Sequence, residues 1–87
     1  MFETAQFQKD LRQDFRGQQA RLQRKLTTHV YPQLRKHPYV GKHIKKLRDA
    51  VPDTWRYRIG DIRFFYTVDD RQRIVFMLSA DHRSHAY

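Results

Sequence analysis

Cysteine is missing altogether from these 87 residues, which excludes disulfide staples and thiolate metal sites and fits a reducing compartment. Apolar residues make up only 39% of the chain, enough for one domain, residues 1–87, with one modest core. No apolar run is long enough to span a membrane, and the N-terminus lacks the apolar stretch of a secretion signal. A soluble, cytoplasmic chain without membrane contact is therefore expected. The sequence has no GxxxxGK[ST] or GxGxxG phosphate loop, no GxSxG nucleophile elbow and no internal repeat. His29, His37 and His43 fall at uneven spacing with no carboxylate or thiol at ligand distance, so neither a metal nor another cofactor is expected. Asp69 and Asp70 are adjacent carboxylates, but Arg71 and Arg73 flank them, and they read as a solvated turn.

Acid is also scarce. Nine Asp and Glu stand against eighteen Lys and Arg, for a net charge of +9, and twelve of the eighteen are arginine. Such a balance points to a polyanion as partner, and the arginine bias leans toward phosphate, which a guanidinium grips with a two-pronged fork.

With three glycines and three prolines, each one marks a break. Thr4 reads as an N-cap. Phe7, Leu11 and Phe15 make one helical stripe, and beyond Gly17 Leu22, Leu26, Val30 and Leu34 resume it in a new phase. Two helices over about 4–15 and 18–30 are expected, folded about Gly17, with Pro32 near the end of the second. Met1–Glu3 can form only a stub of a strand. Arg35–Arg48, RKHPYVGKHIKKLR, reads as a basic turn anchored by Ile44 and Leu47. Its Lys42, Lys45, Lys46 and Arg48, interleaved with Tyr39, suit a nucleic-acid backbone.

The stretch TWRYRIGDIRFFY, Thr54–Tyr66, organises the rest. It alternates with period two on either side of Gly60-Asp61, as a hairpin does. A two-residue turn pairs Ile59 with Ile62 and Arg58 with Arg63. Arg56, Arg58 and Arg63 then share one face, and Trp55, Tyr57 and Ile59 the other. Like charges placed opposite one another are unfavourable unless an anion joins them. Asp69–Arg73 reads as a turn that pairs Val68 with Ile74 in a last strand, Ile74–Ser79. Ile74, Phe76 and Leu78 would then lie on the Trp55 side, under the helices, with Phe65, Val75 and Met77 opposite. The segment Ala80–Tyr87, ADHRSHAY, reads as a tail rich in groups that move protons or bind phosphate.

TWRYRIGDIRFFYTVDD, followed by an isoleucine-led strand, an HR pair and a near-terminal tyrosine, resembles the RelE/ParE superfamily of bacterial toxins, on its RelE-like branch. KHIKKL and the opening FETAQFQKDL extend the resemblance over nearly the whole chain. It implies an α+β fold, a helical hairpin packed on one face of a small, twisted, mainly antiparallel sheet. It also implies a ribosome-dependent endoribonuclease that cuts mRNA in the A site and is silenced by a cognate antitoxin. Operator DNA would be met only through that antitoxin. The family's site positions fall on Arg56, Arg58, Arg63, His82, Arg83 and Tyr87.

In such a reaction the RNA's own 2′-hydroxyl attacks the adjacent phosphate, and fixed arginines meet the charge that develops. The resemblance gives His82 the role of general acid to the 5′-oxygen, and Tyr87 the 2′-hydroxyl or a base to stack on. Several relatives carry Lys, His or Glu where Arg56 and Arg58 stand, and arginine cannot act as a base. Tyr87, His85 and Asp81 remain candidates for that role. The ParE branch, which poisons DNA gyrase without chemistry, is the alternative. A module that only binds an antitoxin or DNA is a third.

Overall fold

The computed structural model describes residues 1–15 and 17–82. In chain order they form β1 (Phe2–Glu3), α1 (Ala5–Asp14), α2 (Gln19–Lys25), a π-helical turn (Leu26–Val30), α3 (Tyr31–Lys36), β2 (Ile44–Lys46), β3 (Trp55–Ile59), β4 (Ile62–Asp69) and β5 (Ile74–His82). The strands make a five-stranded sheet in the order β1-β5-β4-β3-β2. Only β1 and β5 run parallel; the other pairs are antiparallel. The helices cover one face, the inner one. The fold is the expected α+β arrangement.

Thr4 shows how helix and sheet are joined. Its backbone is extended and its hydroxyl oxygen accepts the Phe7 N–H at 3.3 Å, capping α1. The same hydroxyl donates to the Met77 carbonyl at 2.7 Å, so the cap is also a tether to β5. Asp10, one helical face further on, accepts the Ala80 N–H at 2.9 Å. It thereby covers a donor that the two-residue β1 is too short to reach.

The second helix runs further than the sequence suggests. It passes Pro32 and ends at Lys36. Proline has no N–H, and in a regular helix its ring would strike the carbonyl four residues back. The chain avoids this by widening first. The Tyr31 N–H bonds to the Leu26 carbonyl, five residues back, and Pro32 falls at the start of α3 where no donor is needed. Leu34 thereby stays on the buried stripe with Leu22, Leu26 and Val30.

The core lies between this stripe, Phe7, Leu11 and Phe15 on one side, and Tyr57, Phe64, Tyr66, Val75, Met77 and Ala80 of the sheet on the other. Its buried tyrosines keep their hydroxyls bonded. Tyr66 donates to the Pro38 carbonyl at 2.6 Å, Tyr57 to Gln33 Oε1 at 2.7 Å and Tyr31 to Glu3 Oε2 at 2.5 Å. Burial pushes all three phenols above their ordinary range.

The β3–β4 hairpin has the expected register: Ile59 opposite Ile62 and Arg58 opposite Arg63, with Gly60 at φ +56 in the turn. The next hairpin departs from expectation by one residue. Asp69, not Val68, pairs with Ile74. The Asp69 carboxylate accepts the N–H groups of Arg71 and Gln72 at 3.0 and 3.2 Å, and Arg73 takes φ +55, which closes a four-residue turn. A slip of one exchanges the faces. Val75 and Met77 are buried, and Ile74 and Phe76 face outward.

A bulge between Phe65 and Tyr66, against which β5 carries Leu78 as its extra residue, shifts the phase again. Beyond it Ala80 points inward and Asp81 outward. β5 runs to His82, so Ala80, Asp81 and His82 belong to the sheet rather than to a tail. Ile44–Lys46, expected as part of a turn, is the edge strand β2, with Lys45 opposite Arg56. Three residues with two lysines show no alternation of their own; pairing with β3 makes them a strand.

Candidate functional site: an arginine face on the open side of the sheet

Among the described residues no helix covers the outer face. The alternation of β3 and β4 puts Arg56, Arg58 and Arg63 on it, and β2 adds Lys45 beside Arg56. Arg58 and Arg63 are directly opposed. Each is managed differently. Arg58 turns its Nε to the Gly60 carbonyl at 3.0 Å. Arg63 is gripped side-on by Asp81: Nε to Oδ1 at 2.8 Å and Nη2 to Oδ2 at 3.0 Å. Its guanidinium also lies 5.8 Å from the centre of the Phe65 ring. The Nε of Arg56 is buried without a hydrogen-bond partner. Arg56 and Arg58 line a groove of about 340 Å³ together with Lys42, His43, Ile44 and Gly60.

The anion that the opposed arginines call for is thus partly the chain's own. Asp81 sits across from Arg63 because the bulge turns it outward. A side-on pair uses Nε and one Nη2 hydrogen and leaves the Nη1 edge of the guanidinium available, in a fixed plane. The sequence offers Asp81 only as a base; its bond to Arg63 depends on the bulge, which leaves no mark in the alternation.

Of the other expected residues, Lys42 and Lys45 join this face. Lys46 belongs with Trp55 on the other one, with its Nζ 3.4 Å from Asp53 and 5.9 Å from the Trp55 ring. Arg48 is exposed in the loop after β2. His82 is not with the arginines. It pairs with Ile62 on the inner face, its ring 6.2 Å from that of Phe15. Arg83, His85 and Tyr87 lie outside the described residues. Among the described residues no group of three His, Cys, Asp or Glu side chains could hold a metal ion. No helix among them is long and apolar enough to cross a membrane.

Residues 3–87 match the sequence profile of the family described as the ParE toxin of type II toxin–antitoxin systems, parDE. The chain belongs to that family. The toxin is similar in structure to a chain of the RelBE2 toxin–antitoxin complex of Mycobacterium tuberculosis, with a TM-score of 0.71 and 26% identity over 93% of each chain. It shares its fold with a chain of the archaeal RelE–RelB complex of Pyrococcus horikoshii, at a TM-score of 0.59 and 21% identity over 93% of the toxin and 90% of that chain. No curated protein sequence matches it significantly. Together these place the toxin in the RelE/ParE superfamily.

Proposed function

We propose that the toxin is a ribosome-dependent endoribonuclease that cuts mRNA in the A site, and that a cognate antitoxin covers it. The observation that carries this reading is the common face of Arg56, Arg58 and Arg63, with Arg63 locked by Asp81. The 2′-hydroxyl of the RNA attacks the neighbouring phosphorus, and the 5′-oxygen leaves. The phosphorane-like transition state carries more negative charge than the ground state. Guanidiniums already fixed on a sheet stabilise it without reorganising. Arg63 supplies the oriented donor, and Arg56, which lines the groove, adds a second guanidinium to the phosphate's surroundings.

His82 is too far round the sheet to serve as acid in this arrangement, so proton transfer falls to groups carried by the RNA, the ribosome or residues 83–87. Arg83 and Tyr87 keep their proposed roles there as phosphate ligand and 2′-hydroxyl or base contact. Lys42 and Lys45 extend the grip on the phosphate backbone. One structural neighbour is a chain of a toxin–antitoxin complex, which with the family match supports an antitoxin partner here; contact with operator DNA through that antitoxin alone is part of the same proposal.

A second reading, inhibition of DNA gyrase without chemistry, is favoured by the separation of His82 from the arginines and by the ParE description of the family. Programmed ribosomes separate the two. Wild type should cut mRNA in the A site and Arg63→Ala should not. Intact mRNA together with loss of gyrase supercoiling would replace the first reading by the second.

A further inference from the structure

The basic groove of the outer face does not stop at the edge of the sheet. Gly60, at the tip of the β3–β4 hairpin, lines that groove and also two clefts on the helix side. The larger, about 480 Å³, is walled by Lys25, His29 and Gln33 from the helices, Tyr57 and Ile59 from β3, and His43. His43 lines this cleft and the outer groove alike, its ring 5.6 Å from that of Tyr57. At the tip none of the described residues lies within 4 Å of where a Gly60 side chain would begin, so they leave the passage between the two faces open.

The chemistry of the passage is one-sided. Among the described residues, Arg21, Lys25, Lys42, Arg56 and Arg58 have no carboxylate within ion-pair distance. Among the described residues no acid lines the larger cleft, and Asp61 is the single acid in the smaller one beside it. Cations and imidazoles without a counter-charge suit a phosphate, and neither a metal ion nor an apolar ligand. We propose that the cleft of Lys25, His29 and His43 is a second phosphate site, which holds the backbone of the RNA strand where it rounds the β3–β4 tip. The choice of RNA rests on the nuclease reading above; the phosphate chemistry does not.

His29 and His43 are the two imidazoles of the site. Around them stand Arg21 and Lys25 from α2, Gln33 from α3, Tyr57 from β3, Asp61 from the turn, and Lys42, Arg56 and Arg58 on the outer side of His43. Burial keeps Tyr57 neutral.

The test is anisotropy with a 2′-O-methyl RNA oligonucleotide, which binds but cannot be cut. Wild type should bind it, and more weakly as salt rises. Lys25→Ala/His29→Ala should weaken binding roughly tenfold at pH 6 and flatten the salt dependence by about 0.7 in log–log slope for each phosphate that is no longer neutralised. Lys9→Ala/His37→Ala removes the same charges from exposed sites elsewhere and should leave binding within about twofold. His43→Gln, which leaves the helices untouched, should weaken binding by less than the double variant. Equal weakening by the two double variants overturns the proposal. RNA bound in this way yet never cut on ribosomes would overturn the nuclease reading and leave the phosphate site standing.

Discussion

Tyr57, Phe64 and Tyr66 on the inner face of the hairpin are at most 3% exposed, and both tyrosine hydroxyls are bonded. One residue away along the same strands, Arg56, Arg58 and Arg63 are only partly covered, and they include an orphaned Nε and two guanidiniums facing each other. The inner face has its bonding needs met within the chain. The outer face is left unbalanced, and an unbalanced, rigid, charged surface is what a phosphate ligand completes. On the proposed reading, the difference teaches that stability and function are divided between faces rather than between regions of sequence.

Substitutions should separate the two. Phe64→Ala empties the centre of the inner face and should cost about 3–5 kcal/mol in urea unfolding, a large share of the stability of a domain of this size. Arg63→Ala should do the reverse. Its unfolding midpoint should stay near wild type while ribosome-dependent cleavage falls about 10²–10³-fold. If Arg63→Ala unfolds the toxin instead, the division between faces is wrong.

Asp81→Asn keeps the shape but weakens the grip on Arg63. Because Asp81 is 41% exposed, stability should change by less than about 1 kcal/mol. Cleavage should still drop by about tenfold, in kcat more than in KM, since what is lost is orientation. Faster cleavage by Asp81→Asn would instead mark the carboxylate as a competitor of phosphate.

The smallest effect concerns Tyr39, whose phenol is pushed up to about 12, first by its hydrogen bond to Asp70 and then by partial burial. The folded state holds that proton more tightly than the unfolded one. Its contribution is therefore complete below pH 10 and is lost as pH rises from 10 toward 12. Tyr39→Phe should show a shallower decline in unfolding midpoint over that window.

The hairpin was legible in the sequence because Gly60-Asp61 fixes its turn and alternation fixes its faces. The same reasoning misplaced β5. Alternation in Ile74–Leu78 offers apolar residues to either face, so the choice falls to the turn, where the Asp69 side chain bonds the backbone and removes one residue from the loop. The helix beyond Pro32 was hidden for a related reason. Proline stops a regular helix, but a widened turn ahead of it does not appear in composition. At the site, the arginines were legible and their anchor was not. Lys46 and Arg48 share the basic stretch with Lys45, but pairing and the end of the strand direct them elsewhere.

Leu78 is a phase shifter. Up to it, β5 presents Val75 and Met77 to the helices; past it, the same strand delivers Asp81 to the arginines and His82 to the hydrophobic side. Deleting that one residue would leave Met77 opposite Tyr66 and Ser79 opposite Phe65, so Asp81 would still meet Arg63; inserting one residue between Ser79 and Ala80 would instead turn Asp81 inward and His82 outward. A single-codon insertion would thus take the anchor from Arg63, and relatives that differ by such a gap would carry the same letters in a different chemical arrangement.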